Sequence, residues 1–285
     1  MPEGSCAFAV GSIRCTVLSD GYTAYPAEWY FANVEPGEVR KALGERRLPL
    51  DDVLTPYSCL LIETGRHTIL FDTGAGPKSP TSGAIPARLD YLGIRPRHVD
   101  TVVLSHAHPD HAGGAVDASG APAFRNARHV LTEAEWNFWC GYRTDLRAMD
   151  VPEEVRTRTA ASARAALTAL RFQTELIDRE VELAPGVWAV PAPGHTPGHL
   201  ALLLRSENEQ LLAIADAALH PLHLEEPGWR NALDLAADAA AVTRRALLER
   251  AAAEQMRLMA FHFPFPSVGR VEATARGAWR WTPGW

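Results

Sequence analysis

The chain has 285 residues, 47% of them apolar, and a formal net charge of −6. That is enough for one large or two modest domains and too apolar for a disordered chain. The mild acidity argues against a nucleic-acid partner, and no apolar run is long enough to span a membrane. The opening MPEGSCAFAVGSIRC has no basic stretch followed by an apolar block, so a secretory signal is not expected. Cys6, Cys15, Cys59 and Cys140 form no Cys-x-x-Cys pair and are expected as free thiols of a cytoplasmic protein.

Taken in chain order, FAVGSIRCTVLSDG alternates as one strand ending at Asp20-Gly21. Residues 22–56 show little β pattern and form an insertion, with a short helix opened by Glu35-Pro36. YSCLLIETGRHTILFDTGAG predicts a hairpin turning at residues 64–67 and ending in a glycine-rich turn that begins with Asp72. ARLDYLGI predicts a helix, VDTVVLS a short buried strand, and ARHVL another. The last leads into a helix opened by Thr132 and Glu135 in capping-box spacing. Residues 153–171 are rich in alanine and arginine without a breaker and predict a helix. Strands return in ELIDREVELAPGVWAVPAPGH, and LALLLRSENEQLLAIAD predicts a second hairpin. A helix over 235–254, a strand in LMAFHF and a tryptophan-rich tail complete the chain. No linker interrupts it, so residues 1–285 are expected as a single domain of two β-rich halves with helices outside.

VVLSHAHPDHAGG, residues 102–114, is the informative stretch. Imidazole and carboxylate are ordinary ligands for zinc and similar divalent ions. His106 and His108 alternate on an extended loop and turn to one side, while Asp110 and His111 lie on the next turn, where they can face a second ion. A chance match to this spacing is expected in roughly one chain in a thousand of this length. One loop cannot close two coordination spheres, and the ends of apolar strands supply partners: His195 in PAPGHTPGH, Asp216 in LLAIAD and His262 in LMAFHFPFP.

These residues, together with FDTG at 71–74, PGHTPGH at 193–199 and FHFPFP at 261–266, resemble the metallo-β-lactamase-fold hydrolase superfamily over nearly the whole chain. The resemblance implies an α+β fold, an αβ/βα four-layer sandwich of two β-sheets with helices on the outside. It implies one metal held by His106, His108 and His195, a second held by Asp110, His111 and His262, and Asp216 bridging them with a water or hydroxide. Asp72 resembles the family's aspartate behind the ligands, which orients them. Zinc is the expected metal, with manganese, iron or cobalt also compatible with the ligands. His199 is expected to stabilise a turn, and His67, His98, His129 and His223 to lie at the surface or in packing.

Within the superfamily the chain resembles acyl-homoserine lactonases and methyl parathion hydrolases, through LSDG, the 22–56 insertion, ADAALHPL and HFPFPSVGRV. Asp216 stands where class B β-lactamases lack an aspartate. The expected reaction is attack by a metal-bridged hydroxide on an ester or lactone of a hydrophobic small molecule, with Asp110 in the catalytic machinery. Many lactonases of this branch place a tyrosine three residues after the bridging aspartate; here Leu219 stands there and His220 follows. His220 either replaces that tyrosine as a catalytic donor or packs. Trp29, Phe31, Trp136, Leu219, Phe263 and Phe265 are the candidate substrate-pocket residues, and the insertion is expected to cover the site and form a homodimer contact. Rival readings are a mononuclear iron persulfide dioxygenase, a glyoxalase-II-like thioesterase and, with little weight, a non-enzymatic metal-binding module.

Overall fold

The computed structural model describes residues 3–77, 80–274 and 277–284. The first sheet takes its strands in chain order: β1 (Ser5–Val10), β2 (Ile13–Pro26), β3 (Asp52–Glu63), β4 (Thr68–Phe71), β5 (Thr101–Val103), β6 (Arg128–Thr132) and β7 (Thr174–Ile177). The second does the same with β8 (Val181–Ala184), β9 (Val187–Pro191), β10 (Leu200–Ser206), β11 (Glu209–Ala213), β12 (Arg257–Met259), β13 (Val268–Ala273) and β14 (Trp279–Pro283). Between β2 and β3 stand α1 (Ala27–Tyr30) and α2 (Pro36–Glu45). Parallel neighbours need crossover connections. Between β4 and β7 these carry α3 (Ile85–Tyr91), α4 (Pro109–Ala112), α5 (Glu133–Cys140) and α6 (Glu153–Leu170), and between β11 and β12 they carry α7 (Leu222–Glu225) and α8 (Ala237–Ala253).

The apolar runs sort by parity. Leu200, Leu202 and Leu204 of β10 join Leu60, Ile62, Ile69 and Val103 in a core between the sheets. Ala201 and Leu203 pack outward with Leu247, Leu248 and Ala251 of α8. On the other side Cys59, Leu61 and Val102 pack outward with Leu89, Trp139, Ala163 and Leu167 of the helices. Strands covered on both faces lose the apolar–polar alternation of a half-buried sheet and become continuous apolar runs. The result is the expected four layers, helix, sheet, sheet, helix.

Some boundaries differ from the expectations. The first strand is a hairpin, turning at Gly11-Ser12. The 22–56 segment is not free of strand: β2 runs to Pro26 and β3 begins at Asp52, paired along the whole arm. The arm was obscured because its alternation is of hydroxyl-bearing residues with exposed ones, Thr23 and Tyr25 against Tyr22 and Ala24, and not of apolar with charged. The tryptophan-rich tail forms β13 and β14. The last predicted strand is shorter, Arg257–Met259, and leaves His262 beyond its end.

Candidate metal centre and substrate cavity

Every ligand-type residue follows the C-terminal end of a strand. Asp72 follows β4, residues 106–111 follow β5, His195 follows β9, Asp216 follows β11 and His262 follows β12. The seven expected ligand residues come together: His106, His108 and His195; His106, His111 and Asp216; and Asp110, His111 and His262 each gather their nitrogen and oxygen atoms within 4.8 Å. Asp216 Oδ2 lies 3.3 Å from both His195 Nε2 and His262 Nε2, and Asp216 Oδ1 lies 3.2 Å from His111 Nε2. Asp216 thus lies among the His195, His262 and His111 rings.

Hydrogen bonds behind the rings set their tautomers. His195 Nδ1 donates to Asp234 Oδ1 at 2.9 Å, His111 Nδ1 to Asp72 Oδ2 at 2.8 Å, and His262 Nδ1 to the Pro56 carbonyl at 2.9 Å. Ser105 Oγ donates to Asp72 at 2.8 Å, so it accepts from His106 Nδ1 at 3.0 Å. Four imidazoles therefore carry their proton on Nδ1 and turn a bare Nε2 lone pair inward. His106 Nε2, His111 Nε2 and Asp216 Oδ1 are buried and make no hydrogen bond. His108 Nδ1 stands 3.0 Å from His195 Nε2. Lone pairs and carboxylate oxygens crowded together out of water are costly unless a cation joins them. The residues fit a pair of divalent ions.

A proton can take the place of a cation here: burial lowers His111, but Asp216, Asp72 and Asp110 outweigh it and raise the ring well above the ordinary histidine range. Burial, then the neighbouring imidazoles, hold His106 well below the ordinary histidine range. Burial pushes the Asp216 carboxyl up, but His111 and His262 outweigh it and keep the group well below the usual carboxylate range. Asp72 has a left-handed backbone with φ of 59°, a conformation uncommon for a residue with a side chain. Its carboxylate also accepts from Ser105 N at 2.7 Å. The adjoining Gly74 cannot carry a side chain, because a Cβ there would sit 2.3 Å from the Asp20 carboxyl carbon.

Glu135 is a second buried organiser. Thr132 caps α5 by accepting from Glu135 N at 3.1 Å, as expected. The Glu135 carboxylate does not complete the capping box. Instead Oε1 accepts from Ala107 N at 2.9 Å and Trp139 Nε1 at 2.6 Å, while Oε2 accepts from Thr196 Oγ1 at 2.6 Å and Gly198 N at 3.1 Å. Burial pushes this carboxyl up, yet all four neighbours are donors, so the ionised form fits. His199 stabilises its turn as expected: its Nε2 accepts from Asp216 N at 3.1 Å, so its Nδ1 donates to Ala192 O at 2.9 Å. His223 ties the loop after Asp216 to the insertion, donating to Tyr30 O at 2.7 Å. His129 is buried and His98 exposed.

A cavity of about 680 Å³ opens onto His108, Asp110, Asp216 and His262. Of the pocket candidates, Trp29 and Leu219 line it. Four do not. Phe31 is buried against His220, His223 and Trp229. Phe263 packs on Trp281 in the outer core of the second sheet. Trp136 packs in the helical layer over the first sheet, and Phe265 faces solvent at 38% exposure. His220 is also off the cavity: its ring meets Tyr30 and Phe31 edge-on and its Nδ1 accepts from Leu222 N at 3.1 Å. The walls instead use Tyr25, Tyr30 and Tyr57 from the insertion arm, Met149, Val155 on α6, and Leu233. Asp234 was also not foreseen; no local pattern marks a loop aspartate 39 residues from its histidine.

A two-sheet sandwich with this paired ligand set defines a class, and residues 52–262 match the Metallo-beta-lactamase superfamily. The chain belongs to that superfamily. Among curated proteins it is 30% identical over 199 residues to the N-acyl homoserine lactonase AiiB of Agrobacterium fabrum, covering 61% of this chain and 67% of that one. It is 27% identical over 179 residues to an N-acyl homoserine lactonase of Bacillus cereus, where the match spans 56% of this chain and 62% of the relative. Among solved structures, AidC, described as a dizinc quorum-quenching lactonase in complex with a product, superposes with a TM-score of 0.93 at 26% identity, covering 99% of this chain and 98% of that one. The hydrolase AbOPH shares the fold, with a TM-score of 0.87 at 24% identity and coverage of 100% and 99%.

Proposed function

We propose that the protein is a dinuclear zinc hydrolase that opens the lactone ring of N-acyl homoserine lactones. The observation that carries this is the gathering of six ligand-type side chains around Asp216 at the floor of a cavity with largely apolar walls. His106, His108 and His195 would hold one ion, Asp110, His111 and His262 the other, and Asp216 both. Ions held there supply Lewis acidity toward a carbonyl oxygen and lower the pKa of water enough to make hydroxide available near neutral pH. Asp72, Asp234, Ser105 and the Pro56 carbonyl keep the imidazoles in the tautomer that this requires. Asp110 keeps 18% of its side chain open; its carboxylate would take the proton of the attacking hydroxyl and pass it to the departing ring oxygen. The acyl chain runs along Trp29, Met149, Val155 and Leu233; a cavity of this volume suits a small, largely buried ligand. The named activities of AiiB and AidC favour the lactone over other esters, and AidC's two zinc ions favour zinc.

The same reading includes a homodimer, favoured by the apolar outer side of the insertion, where Tyr22 is 49% and Leu54 is 55% exposed. It includes a cytoplasmic location, favoured by four free thiols. Among the described residues no helix is long and apolar enough to cross a membrane. The deciding experiment measures kcat/KM of zinc-loaded protein on N-hexanoyl and N-decanoyl homoserine lactone beside a cephalosporin and a glutathione thioester. Preference for either of the last two refutes the assignment.

A further inference from the structure

The insertion arm carries hydroxyls along the cavity wall. Pairing of β2 with β3 sets Thr23 opposite Thr55 and Tyr25 opposite Val53, and strand alternation puts Thr23, Tyr25, Thr55 and Tyr57 all on the cavity side. One part of this strip is closed. Thr55 Oγ1 donates to the Val53 carbonyl at 3.1 Å and so accepts from Tyr30 Oη at 2.6 Å; both protons are used. The other part is open. Tyr25 Oη and Tyr57 Oη lie 3.0 Å apart. Two hydroxyls hold two protons, and one mutual bond uses one of them. Thr23 donates to Tyr57 and Tyr57 donates to Tyr25, so the proton left over is that of Tyr25.

The position of that donor is fixed at both ends. The Tyr57 ring lies 5.8 Å from the His262 ring, and the neighbouring Pro56 carbonyl is the acceptor for His262 Nδ1. The Tyr25 ring stacks on Trp29 at 5.8 Å. From the ligand cluster outward the wall therefore presents ligands, then the hydroxyl pair, then an apolar patch of Trp29, Met149 and Leu233. An N-acyl homoserine lactone presents a ring ester, then an amide, then an alkyl chain. We infer that the Tyr25–Tyr57 pair donates a hydrogen bond to the substrate's amide carbonyl, making these two tyrosines the residues that select N-acylated lactones over plain ones. This rests on the lactonase reading and names the part of the substrate that the arm recognises.

The test uses Tyr25→Phe and Tyr57→Phe in zinc-loaded protein, with N-hexanoyl homoserine lactone beside γ-nonalactone, an alkyl lactone without the amide. For Tyr25→Phe, kcat/KM on the amide substrate should fall roughly tenfold, mostly through KM, as expected for one lost hydrogen bond to a buried carbonyl. The loss on γ-nonalactone should be smaller by about fivefold or more, the same bond having no partner there. Tyr57→Phe should shift the ratio in the same direction. Titration of the ring-opened N-hexanoyl-homoserine, followed by isothermal calorimetry, should show weaker binding to Tyr25→Phe, with metal content and melting temperature as for the parent. Equal losses on both lactones, or unchanged binding of the ring-opened amide, overturn the inference while leaving the lactonase reading standing. A parent protein inactive on both lactones overturns the lactonase reading, and the titration alone then decides whether the pair binds an amide.

Discussion

Glu135→Gln isolates what the buried carboxylate on α5 does for the metal centre. Each carboxylate oxygen accepts two bonds: Ala107 N and Trp139 Nε1 on one, Thr196 Oγ1 and Gly198 N on the other. A glutamine has the same shape, but whichever way its amide turns, the NH2 group faces two donors. Two bonds to a charged acceptor are lost, each worth about 1.5–3 kcal/mol, and relief from burying a charge offsets part of that. A net loss of about 3 kcal/mol lowers the melting temperature by roughly 5 °C in a domain of this size. The damage is directional. Ala107 stands between His106 and His108, and Thr196 and Gly198 follow His195, so the loops loosened are those of the three histidines proposed to hold one ion. Chelator competition should show zinc affinity there reduced by about 10–100-fold, the usual cost of removing a partner behind metal ligands, with the Asp110, His111 and His262 group less affected. Calorimetry and competitive zinc titration read the two effects separately. Parent-like melting temperature and parent-like affinity at both sites would refute the reasoning.

Asp216→Ala should abolish hydrolysis, a loss of several kcal/mol in transition-state stabilisation, with the circular dichroism spectrum retained; parent rates would remove Asp216 from its bridging role. Metal analysis should give two ions per chain; one ion, with Asp110 and His111 uncoordinated, would favour the mononuclear iron dioxygenase. His220→Ala should lower the melting temperature and leave kcat per folded molecule unchanged, since the ring lies off the cavity behind Tyr30 and Phe31; a drop in kcat at full metal content would return it to the catalytic machinery. Burial holds His129 down at about 4, opposed only by the Ala127 carbonyl. Its unfolded value is near 6.5, so its share of stability is complete above that pH and is lost as pH falls toward 4, about 2 kcal/mol of it by pH 5. His129→Leu should therefore lose less melting temperature than the parent between pH 7 and pH 5, and an equal loss would show that the ring titrates normally.

How far each residue was legible follows from what positions it. The metal centre was legible because its residues lie where strands end, and a short apolar run closed by histidine or aspartate is visible within ten positions of chain. Asp72, His111 and His195 belong to this kind. The layers were legible for a related reason: burial on both faces turns β10 and β3 into continuous apolar runs. The cavity wall obeys no such local rule. Tyr25 and Tyr57 are 32 positions apart, and what brings their hydroxyls together is the register of β2 against β3, including its shift between Ser19 and Gly21. That shift matters because side chains alternate with a period of two. Without it, the residues beyond Gly21 would present the opposite face to the partner strand. Tyr22 and Ala24 would then face the cavity in place of Thr23 and Tyr25. Aromatic content near a ligand was consequently a poor guide: Phe263 and Phe265 follow His262 closely in sequence, but the turn that aims the histidine at Asp216 sends one phenylalanine into the outer core and the other to solvent. In this fold the strand ends fix the reacting atoms, and the pairing of an irregular arm fixes what they meet. The ligands can therefore stay as they are while the substrate changes with a few side chains of β2 and β3.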